Sequence, residues 1–226
     1  MSKTTIRVAS SGSSGNCYSI TDDGKVLLLD AGVPLPEIKQ LVNWKVGDIK
    51  GCFVTHEHND HSKSADKLRN MGIPVFEPYK GGKQKFSSDG WKLYAFPVPH
   101  DGVECRATYV VCPGGHRMLY MTDCSYCKYK FTNQKINTLL IECNYIDMEE
   151  DNESKKNHVF RGHMSLKTCK AFIKVNQTDE LKNVILCHLS AENADESEIL
   201  RQVQEVVGDG VKVHIAKKGV EINLDE

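Results

Sequence analysis

Short apolar runs separated by turn signals recur along the chain, a pattern of many strands and few helices. Residues 6–9 predict a first strand. Residues 17–21 and 25–30 predict a hairpin across Asp22-Asp23-Gly24. Residues 50–55 are short, apolar and β-branched, as a buried strand should be, and residues 91–98 (WKLYAFPV) alternate. Further strands are expected at 75–77, 108–112, 117–122, 139–142, 184–187 and 211–216. Helices are expected at 36–43, at 62–71 (ended by Gly72 and Pro74), from an N-cap at Ser165 through Lys174, and at 194–207. No repeat, linker or composition break divides the chain, so one mixed α/β domain over residues 1–226 is expected.

Composition narrows the class. The 226 residues are 40% hydrophobic and 26% charged, ordinary for a globular protein with a packed core. No run of 18 apolar residues suggests a membrane span, and the opening MSKTTIRVAS lacks the apolar centre of a signal peptide. Nine cysteines form no framework spacing, which points to reduced thiols in a cytoplasmic protein. Within them, Cys124 and Cys127 form a lone pair with no second pair and are expected to be structural. Net charge is −1, so any phosphate-binding surface must be a local patch. The run at 147–157 (DMEEDNESKKN) is charged enough to be a solvated excursion.

Chemistry concentrates between the strand at 50–55 and the helix at 62–71, in Thr55-His56-Glu57-His58-Asn59-Asp60-His61. The pattern H-x-H-x-D-H places four imidazole or carboxylate ligands on a loop braced by a strand and a helix. Such donors suit Zn²⁺, Mn²⁺ or Fe, and alternating side chains can address two ions. The loop at 10–16 (SSGSSGN) could present backbone N–H groups to an anion. It lacks a Walker lysine and leads into a strand, so it is no P-loop.

The heptad resembles the signature loop of the metallo-β-lactamase fold. That resemblance implies a four-layer αββα sandwich. It also implies that His100, Asp123 and His188, each at a predicted strand end, complete the site. One ion would take His56, His58 and His100. A second would take Asp60, His61 and His188, with Asp123 bridging. Asp30 would brace the loop without ligating. The segments SSGSSGN, LLDAG, THEHNDH, PHDG, TDCS, IECNY, GHMS and CHLSAEN are together similar to the YycJ/WalJ-type branch, described as 5′-to-3′ DNA exonuclease-like. Cys143 and Leu166 depart from that branch, which has Ser and Asn at these places.

The implied activity is phosphodiester hydrolysis by a hydroxide held between two divalent ions, Zn or Mn. Asp60 and Asp123 would orient it, and the non-ligating His163 would protonate the leaving oxygen. Ser13, Ser14 and Asn16, with the cations Arg161, Lys63 and Lys167, would contact substrate. Nucleic acid is the expected partner, DNA before RNA, gripped near the cleft because no inserted domain or tRNA-binding arm is evident. A small-molecule or cyclic-nucleotide phosphodiesterase of the same fold remains an alternative. A glyoxalase II-like thioesterase would need a C-terminal substrate domain where only 38 residues follow His188. A non-catalytic binding module would be expected to have lost ligands.

Overall fold

Strands with unbroken apolar runs are those buried on both faces. In the computed structural model, which describes residues 3–147 and 162–225, β3 (Lys25–Leu29) shows this directly. Leu27 and Leu29 enter one core, Val26 and Leu28 another. The same two-sided alternation runs through β9 (Arg117–Met121), β10 (Thr138–Glu142) and β11 (Asn183–Cys187).

Two sheets result. The first has six strands in the order β13-β1-β2-β3-β4-β5. They are β1 (Thr5–Ser10), β2 (Cys17–Asp22), β3, β4 (Ile49–Phe53), β5 (Val75–Phe76) and β13 (Glu221–Asn223). The second has seven, in the order β12-β11-β10-β9-β8-β7-β6. It adds β6 (Lys85–Ser88), β7 (Trp91–His100), β8 (Val103–Val111) and β12 (Lys212–Ile215). Ile6, Ile20, Phe53, Trp91, Tyr120 and Ile185 pack between the sheets.

Helices cover the outer faces. Ile38 of α1 (Leu35–Leu41) and Leu68 of α3 (Ala65–Asn70) close the six-stranded sheet. Phe172 and Ile173 of α4 (Leu166–Asn176), with Ile199 and Val203 of α5 (Glu196–Val207), close the other. The architecture is the four-layer αββα sandwich expected. Both sheets are antiparallel on one side and parallel on the other, with β3, β4 and β5 parallel and β9 through β12 parallel. Their parallel strands end at one edge, where ligands bind in open α/β sheets.

Three expected elements differ, and the first of them is the strand expected at 108–112, which as β8 begins five residues earlier, at Val103. The helix at 62–71 is broken into α2 (Asn59–Ser62) and α3. Ser64 is tied to the loop after β3, its Oγ donating to Val33 O at 2.7 Å and its N to Ala31 O at 2.9 Å. β7 continues through Pro97 and Pro99 to His100. β6 pairs it only as far as Tyr94, so beyond that point one side of β7 has no strand partner and tolerates proline. The edge strands β6 and β13 carry no long apolar run and were not expected. Arg161, and the charged excursion beyond Asp147, lie outside the described residues.

Candidate metal centre

His56, His100, Asp123 and His188 stand on or just past strand ends at this edge, while His58 leads into α2, which carries Asp60 and His61. Asp30, Asp123 and His188 follow β3, β9 and β11 with φ of 57°, 49° and 53°. Left-handed backbone is uncommon outside glycine, and three such residues at one edge mark a locally constrained site. Gly32 makes the heptad's position possible. A Cβ there would lie 1.6 Å from Asp60 O, so only glycine lets the two loops touch. Asn16 N donates to that same carbonyl at 2.7 Å, and Gly32 N donates to Asn16 O at 2.9 Å.

The donor atoms converge. His56, His58 and His100 offer ring nitrogens within 4.8 Å of one another, with His56 Nε2 to His58 Nδ1 at 2.9 Å. Asp60, His61, Asp123 and His188 form a second such group. Asp123 lies between the two, its Oδ2 2.6 Å from His61 Nε2 and 3.6 Å from His56 Nε2, its Oδ1 3.2 Å from His188 Nε2. A third group, Asp123, Glu142, His163 and His188, overlaps the second.

Second partners fix which nitrogen faces inward. His61 Nδ1 donates to Asp30 Oδ2 at 2.7 Å, and His100 Nδ1 to Gly162 O at 3.1 Å. Thr55 Oγ1 lies 3.0 Å from His56 Nδ1 and itself donates to Asp30. Asp30 also accepts from Thr55 N and, at 2.6 Å, from Tyr120 OH. It is a brace with no room left for an ion. Glu142 Oε1 is 2.6 Å from His163 Nδ1 and 3.4 Å from His188 Nδ1, while Oε2 accepts from Cys124 N. Cys124 itself points into the core under α4. His188 Nε2 is buried and, although Asp123 Oδ1 lies 3.2 Å away, makes no hydrogen bond with it.

Charge makes the same point. Asp30, Asp123 and Glu142 are at most 2% exposed, and among the described residues no Lys or Arg pairs with any of them. Buried carboxylates need a compensating cation. Without an ion, histidine protons supply it. Burial pushes His61 toward neutrality, but the charges of Asp123 and Asp30 outweigh it and raise its pKa well above 6.5. His188 and His163 are raised the same way, against burial, by Asp123 and Glu142. Burial and the neighbouring rings push His56 down to about 2, and burial lowers His100. Asp123 is itself buried but is held well below the usual range by His61 and His188. His56 and His100, which burial keeps neutral, stand beside a carboxylate-rich pocket that could hold divalent cations, and His188 Nε2, which makes no hydrogen bond there, fits that use.

The cavity over these groups measures about 290 Å³ and is lined by Ser13, Asp60, Asp101, Asp123, His163 and His188, among others. Ser14 is exposed on the same loop but not in the lining. Asn16 is fully buried, 3.0 Å from His61 Nε2, and braces the loop where substrate contact was expected. Backbone N–H groups of Gly12, Gly15 and Asn16 are also used internally, which weakens the anion-nest expectation. Lys63 and Lys167 are exposed and do not line the cavity. Glu142, Asn144 and Tyr120 were not singled out in the sequence. An acid directly after Leu139-Leu140-Ile141 repeats the signature of Asp30 after Leu27-Leu28-Leu29, and could have revealed Glu142.

Among the described residues no helix is long and apolar enough to cross a membrane. Residues 11–123 match the family model of the metallo-β-lactamase superfamily. The chain is 26% identical over 246 aligned residues to exodeoxyribonuclease YycJ of Bacillus anthracis, covering 92% of this chain and 93% of that one. In structure it is similar to the metallo-β-lactamase fold protein YhfI from Bacillus subtilis, with TM-score 0.74, 18% identity, and 98% and 99% of the two chains covered. A diphosphatase of the PhnP family has TM-score 0.66 at 16% identity, covering 97% of each chain. The chain belongs to the metallo-β-lactamase superfamily and is a hydrolase of that fold.

Proposed function

We propose that this hydrolase is a binuclear metal-dependent phosphodiesterase acting on nucleic acid, with DNA favoured over RNA and a 5′-to-3′ exonuclease-like action. The carrying observation is the pair of donor groups meeting at Asp123, with the buried His188 Nε2 turned toward Asp123 Oδ1 at 3.2 Å without a hydrogen bond. Similarity to an exodeoxyribonuclease over most of both chains supports the substrate class. His56, His58 and His100 would hold one ion. Asp60, His61 and His188 would hold the other, with Asp123 shared. Zn²⁺ or Mn²⁺ suits these donors. Bound there, the ions would supply Lewis acidity that activates water near neutral pH and neutralises phosphate charge.

The chain's own groups do the rest. Asp60 is partly exposed to the cavity and Asp123 is buried behind it, so the two carboxylates would orient an attacking water between them. His163 lines the cavity, with Nδ1 held by Glu142, which leaves Nε2 to carry a proton toward the leaving oxygen. All nine thiols are free, which supports a cytoplasmic location. A cavity of about 290 Å³ also admits a small phosphodiester. The test is metal-loaded protein on end-labelled single- and double-stranded DNA and RNA, beside bis-p-nitrophenyl phosphate. Stepwise shortening of DNA from the 5′ end is expected. Hydrolysis of the small ester alone would favour the small-molecule reading.

Removing the ions should make stability depend on pH. Histidines with raised folded pKa values (His61, His163 and His188) stabilise the chelated protein fully below about 6.5, and that contribution is lost as pH rises through their folded values. The lowered His56 and His100 act in the opposite sense, but only below 6.5. Chelated protein should therefore lose melting temperature from pH 6.5 upward, while loaded protein does not. Thermal melts of both forms across pH 6 to 9 check this, and parallel curves would contradict it.

A further inference from the structure

The outer face of the seven-stranded sheet is closed by helices over β10 to β12, but its other corner carries a different surface. Phe86, Leu93 and Val110 point into the core between the sheets, so the residues beside them point out. Strand register sets Lys85, Tyr94 and Tyr109 in one outward row, and Lys92, Val111 and Arg117 in the next. Lys85, Lys92 and Tyr94 are exposed, and the Lys85 ammonium sits 5.7 Å from the Tyr94 ring centre. None of the outward positions of β6 to β9 is Asp or Glu.

This surface is continuous with the candidate metal centre. After Asp123 the chain runs extended over the same face, with Ser125 N donating to Pro99 O at 3.1 Å beside His100. Exposure alternates along it. Tyr126, Lys128 and Lys130 face solvent, while Tyr129 packs on Phe96 with ring centres 5.5 Å apart. Tyr126 is 53% exposed, and Lys128 lies 5.4 Å from the Tyr129 ring centre. From His100 back to Lys92 the strip follows eight residues of β7, about 26 Å at ~3.3 Å per residue. A chain of net charge −1 has thus gathered five cations and exposed tyrosine rings on one strip that starts at the site and, among the described residues, has no Asp or Glu at the outward positions of β6 to β9.

We propose that this strip is a rail for single-stranded nucleic acid leaving the metal centre, a proposal that rests on the nuclease reading above. Bases would stack on Tyr126 and Tyr94, and phosphates would pair with Lys128, Lys130, Lys85, Lys92 and Arg117. Stacking on exposed aromatics combined with a line of cations is how single strands are held without sequence preference. Anionic lipid or an acidic protein would also be drawn to the charges, but continuity of the strip with the metal centre favours the strand.

The test compares metal-loaded wild type with Lys85→Glu/Lys92→Glu, Tyr94→Ala and Tyr126→Ala. The probes are a labelled phosphorothioate single strand for affinity, unmodified DNA for cleavage, and bis-p-nitrophenyl phosphate for the chemistry. Each tyrosine truncation should weaken strand binding about five-fold or more. Tyr94→Phe and Tyr126→Phe, which keep the ring and the packing, should bind as wild type. The lysine pair should lower the slope of log affinity against log salt by about 1.4, at ~0.7 per phosphate contact. Turnover of the small ester should not change in any variant. Wild-type affinity and salt slope in all variants, with DNA still cut, would overturn the rail and leave the nuclease reading standing. Wild type that hydrolyses the small ester but neither binds nor cuts a strand would remove the nuclease reading, and the rail with it. Loss of phosphatidylserine-vesicle binding in the variants, with strand binding intact, would assign the strip to a membrane surface and overturn the proposal.

Discussion

Asp123→Asn should lose at least ~10²-fold in phosphodiester turnover while keeping the fold, the loss expected when a preorganised charged group at the reacting centre is removed. Asparagine is the informative substitution because Asp123 sits at φ 49°, a conformation Asn tolerates and Ala does not. The amide keeps the shape of the carboxylate and removes its charge. His61 and His188 then lose the anion that both approach within 3.2 Å, and the two donor groups lose their shared member. Metal content at saturation should fall, and the more weakly held ion should exchange first. Asp123→Ala should be at least as inactive and less stable. Near wild-type turnover in the Asn variant, with its metal content unchanged, would show that Asp123 only compensates the histidines.

His163→Ala should keep both ions and lower the rate on DNA by ~10²–10⁴-fold, the usual range for a positioned proton donor. The overlapping group of Asp123, Glu142, His163 and His188 offers a rival reading in which His163 is itself a ligand. Geometry favours the donor role. Nδ1 is engaged by Glu142 at 2.6 Å, and the ring stacks on His188 with centres 5.0 Å apart and planes 15° apart. The leaving group separates the readings. Nitrophenolate departs without protonation, whereas a nucleoside hydroxyl does not, so the loss should shrink on bis-p-nitrophenyl phosphate. Equal losses on both substrates would indicate charge stabilisation. Loss of an ion would make His163 a ligand, and wild-type rates on both would leave it without a role in the chemistry.

Much of this was legible because the signals were local. Apolar runs flanked by turns located most of the long strands, and the tight turn at Asp23-Gly24, both residues at positive φ, formed as its sequence requires. The heptad lies within seven residues, so its ligands were visible together. What escaped depends on contacts distant in sequence. Ser64 breaks a helix because it bonds a loop some 30 positions earlier, which no helical periodicity reports. Glu142 organises His163 and His188 from a different strand, and its role appears only once β10 and β11 lie side by side. Asn16 read as a polar loop residue open to substrate, whereas Gly32 allows the loops to close over it. The cations at Lys63 and Lys167 were near the motif in sequence, but the structure places neither in the cavity lining. Lys85, Lys92 and Arg117 belong to three different strands and meet only through register.

Metal titration of chelated protein tests the central claim most directly, with hydrolysis of bis-p-nitrophenyl phosphate followed at each addition of Zn²⁺ or Mn²⁺. The account predicts no activity before metal is added, a rise that saturates at about two equivalents per chain, and restoration of the melting temperature over the same range. Saturation at one equivalent, with His188 unliganded, would contradict the binuclear site. Full activity in the chelated protein would contradict the account as a whole.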